Sequence, residues 1–120
     1  MNATALKQRL RADLKAAMID KQAGRTRVLR QLIAALDNAE AVPVHSRPAQ
    51  FRARPGDPGS EVARLELDAG AVATVLAAEI EARRAASAEY RQGGRNDEAD
   101  ALLAEIVLID RYLGDRVGEA

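Results

Sequence analysis

RTRVLRQLIAALDNAE, residues 25–40, is the stretch that decides the fold of this chain. Its apolar residues recur at spacings of three and four, which places them on one face of a helix. They are Leu29, Leu32, Leu36 and Ala39, flanked by Val28 and Ile33. Arg25, Arg30 and Asp37 fall largely outside this face. The pattern predicts an amphipathic helix over residues 25–40 that packs against a second apolar surface.

The last turn of this helix is unusually polar. Asn38 is a weak helix former, and Glu40 places negative charge at the negative end of the helix dipole. Residues that break a local rule often make a functional or tertiary contact. Two interpretations therefore stay open for this turn, a solvated helix end or a contact elsewhere in the fold.

Composition indicates one all-α domain spanning residues 1–120. The chain has 120 residues and no Cys, which excludes disulfides, zinc–thiolate sites and Cys nucleophiles. Ala is abundant, and the aromatic residues are Phe51, Tyr90 and Tyr112. Residues 1–7 lack the apolar run of a signal peptide, and residues 101–109 are too short to span a membrane. We expect a cytoplasmic protein with no membrane partner.

The order of helix signals predicts two antiparallel helical hairpins in a small, four-helix bundle-like domain. Helices are expected over residues 4–20, 25–40, 68–92 and 96–113, with short connections within each pair. Thr4, Asp68 and Asn96 are the predicted N-caps, and Gly93 with Gly94 ends the third helix. Between the hairpins, residues 41–67 form a loop rich in Pro and Arg, with a short helical turn expected over 60–66.

Apolar stripes define the expected buried faces of the other helices. In the first they are Leu6, Leu10, Leu14 and Met18; in the third, Val72, Val75, Leu76, Ile80 and Tyr90. The last helix carries Leu102, Ile106, Ile109 and Leu113, extended by Leu103 and Val107. Because apolar residues occupy most of its circumference, the last helix is expected to be buried on most sides.

A charged pair is predicted inside the second hairpin. Glu105 lies in the middle of the apolar last helix, and Arg83 and Arg84 interrupt the apolar face of the third. With the turn at Gly94, residues 83 and 105 lie at similar heights, so an ion pair offsets the cost of burying the carboxylate. The alternative is that the arginine stems extend along the edge of the core toward water.

The net charge of zero hides a separation of charge. Residues 1–54 carry eleven Lys or Arg against four acids, whereas residues 55–120 carry seven against fourteen. A basic half suits an anionic partner such as RNA, although a solvated surface or attraction between the halves is the competing explanation. The candidate RNA-binding residues are Lys7, Arg11, Lys15, Arg25, Arg30, Arg47, Arg52 and Arg54. The last three lie with Phe51 either in an RNA-binding arm or in a surface loop.

No catalytic constellation is visible in the sequence. His45 is the single histidine, so a histidine metal cluster is excluded, and no nucleophile elbow or phosphate-binding loop is present. We expect no catalytic residue, metal or cofactor.

Together, these motifs resemble the YqeY family, also called GatB/YqeY-domain proteins. In residues 25–40 the resemblance rests on Leu29, Arg30, Leu32, Ala35, Leu36, Asn38, Ala39 and Glu40. In the second hairpin it rests on Arg83, Arg84, Tyr90, Gly94, Arg95, Asp97, Glu105 and Tyr112. The similarity covers residues 6–40 and 68–113. Glu98, Leu102, Leu103 and Gly114 depart from the pattern of the family.

The resemblance implies a relation to the tail of the B subunit of the tRNA-dependent amidotransferase, a tail associated with tRNA recognition. The family continues into a second small helical unit, so this sequence is expected to be a one-subdomain version. The implied partners are tRNA and an amidotransferase or other protein subunit. A protein-interaction or oligomerisation module is the alternative, and a carbon–nitrogen ligase with glutamine as amido-N-donor is implied by family inheritance alone.

Overall fold

The computed structural model describes the backbone of residues 1–41 and 66–118, and the side chains as far as residue 114. Four helices make up these residues: α1 (Ala3–Ile19), α2 (Ala23–Glu40), α3 (Ala69–Gln92) and α4 (Asn96–Gly118). The described ranges contain no strand, and α1 packs on α2 as α3 packs on α4. The predicted all-α fold of two helical hairpins is confirmed.

The predicted faces of α1, α2 and α3 supply most of the core. Six leucines are almost fully enclosed: Leu6, Leu10, Leu29, Leu32, Leu36 and Leu76. Val28, Val72 and Ile109 complete the set of large, fully buried side chains. Contact between the hairpins is lighter than contact within each hairpin and runs mainly from α2 to α3. Individual hydrogen bonds and ion pairs between the hairpins are therefore expected to contribute a large share of the free energy that holds the hairpins together.

The helix ends show two departures from the predicted caps. The cap of α1 is Asn2, whose side chain accepts a hydrogen bond from Ala5 N at 2.9 Å. The predicted cap, Thr4, lies inside the helix, where its hydroxyl donates to Glu66 Oε1 at 3.1 Å. Helix α4 begins at Asn96, so the carbonyl of Arg95 accepts the first helical hydrogen bond from Ala99 N.

The remaining helix-end predictions are confirmed. Asp68 caps α3 through a 2.8 Å hydrogen bond from Ala71 N. Gly94 has φ of +77°, the left-handed conformation that glycine adopts without steric cost after a helix. In addition, Ala3 N donates to the carbonyl of buried Leu67, which fixes the approach to α3 against the start of α1.

Four side chains predicted to be buried are exposed instead. They are Met18 (50% exposed), Tyr90 (36%), Leu103 (42%) and Val107 (57%). Helix α4 packs along α3 on one side, while its other side faces solvent, so its burial on most sides was a wrong prediction. A broad apolar stripe fixes which face packs, but it does not fix how wide the contact is.

Candidate functional site

The predicted charged pair of the second hairpin is present and belongs to a larger network. Arg83 Nε donates to Glu105 Oε1 at 2.9 Å, and the two side chains are 10% and 15% exposed. Arg83 also donates to Glu79 Oε1 and to the Glu79 carbonyl, both at 3.1 Å. Its remaining nitrogen donates to Gln31 Oε1 of α2 at 2.7 Å. The guanidinium is therefore enclosed by hydrogen-bond acceptors, as a buried cation requires.

This network joins the two hairpins. Arg27 of α2 reaches the second oxygen of Glu105, Oε2, at 3.1 Å. Gln31 and Arg27 thus bind the buried pair from one side while α3 and α4 supply the other. Arg84, the other predicted partner of Glu105, is exposed and pairs with Glu81. We call the cluster of Arg27, Gln31, Glu79, Arg83 and Glu105 the inter-hairpin network.

A second ionic cluster explains the polar end of α2 and corrects the predicted role of Lys7. Lys7 Nζ lies 2.7 Å from Glu40 Oε1 and 3.0 Å from Asp37 Oδ1, and its side chain is 11% exposed. The hydrogen bond to Glu40, with further help from Asp37, raises the pKa of Lys7. Lys7 therefore points into the first hairpin instead of joining an exposed stripe with Arg11 and Lys15.

Glu40 thus makes the tertiary contact that its unfavourable helix position indicated, whereas Asn38 remains exposed. Tyr112, the aromatic residue of the predicted family motif in α4, lies across the hairpins from Asp13. Its hydroxyl donates to Asp13 Oδ2 at 2.6 Å, and burial followed by this hydrogen bond raises the pKa of Tyr112. The guanidinium of Arg9 lies 5.2 Å from the ring centre of Tyr112.

The other cations of the first hairpin are exposed and make no ion pair with the carboxylates of the described residues. They are Arg11, Lys15, Lys21, Arg25 and Arg30. Those of the second hairpin behave differently, because most pair with nearby acids. Beside Arg83 and Arg84, these are Arg91 with Asp100 at 2.8 Å and Arg95 with Glu98 at 2.8 Å. We call these five cations of the first hairpin, which make no ion pair among the described residues, the basic surface.

Two members of the basic surface line a groove on the first hairpin. This hairpin groove has a volume of about 650 Å³ and lies beside the turn between α1 and α2. Its lining includes Met18, Lys21, Arg27, Arg30 and Ala34. Arg30 Nη2 lies 3.6 Å from Met18 Sδ. The groove therefore combines exposed apolar surface with three positive charges.

Lys21 occupies a backbone position that glycine normally takes. It follows the end of α1 with φ of +57°, the left-handed conformation that costs an ordinary residue about 1–2 kcal/mol. The turn is held by Gln22 N donating to the Ala17 carbonyl at 2.9 Å. The chain thus carries a strained lysine at the edge of the hairpin groove, where a glycine would relieve the strain and remove the charge.

A second cavity, the inter-hairpin cleft, lies between the start of α2 and the exposed side of α4. It has a volume of about 400 Å³ and brings Arg25 and Arg27 together with Arg111. Arg111 is exposed and has no carboxylate partner among the described side chains. Arg111 was not among the predicted site residues, because a charge count by halves assigns it to the acidic half of the sequence. The helical register of α4, which turns Arg111 and Val107 toward one side, was the available signal.

The other predicted site residues divide into two groups. Arg47, Arg52 and Arg54, with Phe51 and His45, lie outside the described residues. Arg25 and Arg30 are exposed on α2, as the RNA-binding prediction requires, although their binding role remains a prediction. In the described ranges, no three residues of the His, Asp or Glu types come together in a group that could hold a metal ion.

These features define a class, a two-hairpin all-helical domain with a buried ionic link between its hairpins and unpaired cations on the first. The YqeY family model, described as Yqey-like protein, matches residues 59–120, a stretch that contains α3 and α4. The chain belongs to the YqeY-like family. No curated protein sequence matches it. Of the helices described, none has the length and apolar character needed to cross a membrane.

Proposed function

We propose that this protein is an accessory module that binds RNA through the basic surface of its first hairpin, and that the RNA it binds is tRNA. The observation that carries the proposal is the difference in pairing between the hairpins. Arg84, Arg91 and Arg95 of the second hairpin are neutralised by adjacent acids, whereas Arg11 and Lys15 on α1 have no such partner among the described side chains. Unpaired surface cations are the groups that neutralise phosphates.

The competing explanation is that the basic half neutralises the acidic half within the fold. Arg27 does so, since it reaches Glu105 of α4. Lys7 instead pairs with acids of its own hairpin, Asp37 and Glu40. The five residues of the basic surface make neither kind of pair among the described residues, so internal neutralisation leaves their charge unexplained.

Phosphate contacts set the expected mode of recognition. Residues 1–41 contain no aromatic residue, so stacking on unpaired bases has no platform in the first hairpin. Binding is therefore expected to depend on charge and shape, with little base specificity. The choice of tRNA within RNA rests on the resemblance to the amidotransferase B-subunit tail. In this function the chain carries out no ligase chemistry of its own. The carbon–nitrogen ligase activity implied by the family would belong to a larger assembly.

A charge-reversal experiment with a matched control tests the proposal. The triple variant Arg11→Glu, Lys15→Glu, Arg25→Glu changes the net charge by the same amount as Arg84→Glu, Arg91→Glu, Arg95→Glu on the second hairpin. Fluorescence anisotropy with labelled tRNA at low salt measures binding, and circular dichroism checks the helical content. We expect the first variant to lose tRNA binding and the second to retain most of it. Equal loss in both, or no binding by the parent, would overturn the proposal.

Exposed apolar side chains favour a second candidate function, a protein-interaction or oligomerisation module. Met18 and Ile19 are 50% and 69% exposed at the end of α1, and Leu103 and Val107 are exposed on α4. Exposed apolar patches are typical of protein contacts. Light scattering across a concentration series tests for self-association, with Ile19→Glu and Leu103→Glu as the disruptive variants. A monomer at every concentration would exclude the oligomerisation version.

A further inference from the structure

The inter-hairpin cleft is the place where cations from both hairpins meet. Arg25 and Arg27 come from the first turns of α2, and Arg111 comes from the last part of α4. The acidic residue in the lining is Glu105, whose two oxygens already accept hydrogen bonds from Arg83 and Arg27. The cleft therefore presents guanidinium groups toward solvent, and its carboxylate faces the inter-hairpin network.

Arg27 and Arg111 contribute to this cleft in different ways. Arg27 is anchored by Glu105 at 3.1 Å while 61% of its side chain remains exposed. That anchor fixes one donor group before any ligand arrives, which lowers the entropy lost on binding. Arg111 has no carboxylate partner in the part of the chain that the structure describes, and the five donors of its guanidinium suit an anion.

Apart from Glu105 and Arg111, the residues that α4 contributes to the cleft are apolar. Ala101, Ala104, Val107 and Leu108 line it, and Val107 is 57% exposed. A cleft with cationic and apolar walls suits a group that carries a phosphate next to a less polar body, as a nucleotide does. An isolated inorganic anion would use the arginines alone.

We propose that the inter-hairpin cleft binds a backbone phosphate of the RNA strand, with the adjoining ribose or base edge against Val107. This inference rests on the proposed function and adds a residue of the second hairpin, Arg111, to the binding surface. The strand then contacts both hairpins, and the site exists only while the two hairpins stay packed together. Guanidinium groups are suited to this contact because their donors match two phosphate oxygens at once.

Two matched pairs of variants test the cleft in the full-length protein. Arg111→Ala removes the cation that α4 contributes to the cleft, and Arg91→Ala removes an exposed arginine outside the cleft that pairs with Asp100. Val107→Glu places an acid in the cleft, and Leu103→Glu places one at another exposed position of α4. Labelled tRNA and inorganic phosphate are the two probes, measured by anisotropy and by arginine side-chain NMR shifts.

We expect Arg111→Ala to weaken tRNA binding by about tenfold and to reduce the salt slope by about one, as loss of one phosphate contact predicts. Val107→Glu should weaken binding at least as much, while Arg91→Ala and Leu103→Glu stay close to the parent. If the parent binds tRNA and all four variants bind equally well, the cleft is excluded while RNA binding by the basic surface stands.

A parent that fails to bind tRNA would remove both proposals. Titration with inorganic phosphate distinguishes a third outcome. If phosphate shifts the Arg111 signal but Arg111→Ala binds tRNA like the parent, the cleft is a free-anion site and the RNA inference is wrong.

Discussion

Glu105→Gln is the substitution that probes the inter-hairpin network most directly. Glu105 accepts hydrogen bonds from Arg83 at 2.9 Å and Arg27 at 3.1 Å. Glutamine keeps one oxygen for Arg83, but its amide nitrogen then faces the Arg27 donor, and the negative charge is lost. Removing one partner of a buried pair costs about 3–5 kcal/mol, and a hydrogen bond to a charged group contributes about 1.5–3 kcal/mol.

The structure places the expected loss of stability at or just below the lower limit for a buried pair. Arg83 keeps Glu79 and Gln31 as acceptors, and 15% of the Glu105 side chain remains exposed to water. We therefore expect Glu105→Gln to lower the free energy of unfolding by about 2–3 kcal/mol. For a domain of 120 residues, that loss corresponds to roughly 8–12 °C in Tm.

Thermal and urea unfolding of the parent and two variants supply the assay. The control is Glu81→Gln, because Glu81 and its partner Arg84 are 67% and 58% exposed. Such surface pairs contribute about 0–1 kcal/mol, so this control should melt within a few degrees of the parent. If Glu105→Gln melts like Glu81→Gln, the network does not stabilise the fold and the reasoning is wrong.

Three further predictions concern other contacts. Because the pKa of Lys7 is raised above 10.5, the ion pairs of Lys7 stabilise the fold fully below that pH, and this stabilisation is lost as the pH rises through the raised value. In urea unfolding, Lys7→Met should therefore be less stable than the parent at pH 7 and should lack this loss of stability at alkaline pH. Tyr112→Phe removes the hydrogen bond to Asp13 and should cost about 1–2 kcal/mol in the same assay, with smaller losses contradicting a structural role. Gly94→Ala should cost about 1–2 kcal/mol at φ of +77°, whereas Lys21→Gly at φ of +57° should raise Tm by relieving the same strain.

Helical periodicity predicts which residues pack but only part of how they pack. Leu29, Leu32 and Leu36 repeat on a single narrow face, and all three are buried. Val107 belongs to a stripe of the same quality, yet it is exposed because α4 packs mainly on α3 and its outer side faces solvent. The apolar pattern of a single helix does not predict how many other helices pack around it.

Charged residues were predictable where the geometry is local. Arg83 and Glu105 lie equally far from the turn at Gly94, so antiparallel packing alone brings them together. The contribution of Arg27 and Gln31 depends on how the hairpins dock, which no local spacing encodes. Lys7 shows the same limit, because its spacing matches Arg11 and Lys15 while its partners lie on α2.

The salt dependence of tRNA binding by the parent protein tests the central claim most directly. Six exposed cations, the basic surface and Arg111, are available on the described side chains. If most of them neutralise phosphates, the logarithm of the association constant should fall with the logarithm of salt concentration with a slope of about −4. The absence of saturable binding near 50 mM salt, or a slope close to zero, would contradict RNA binding through this surface.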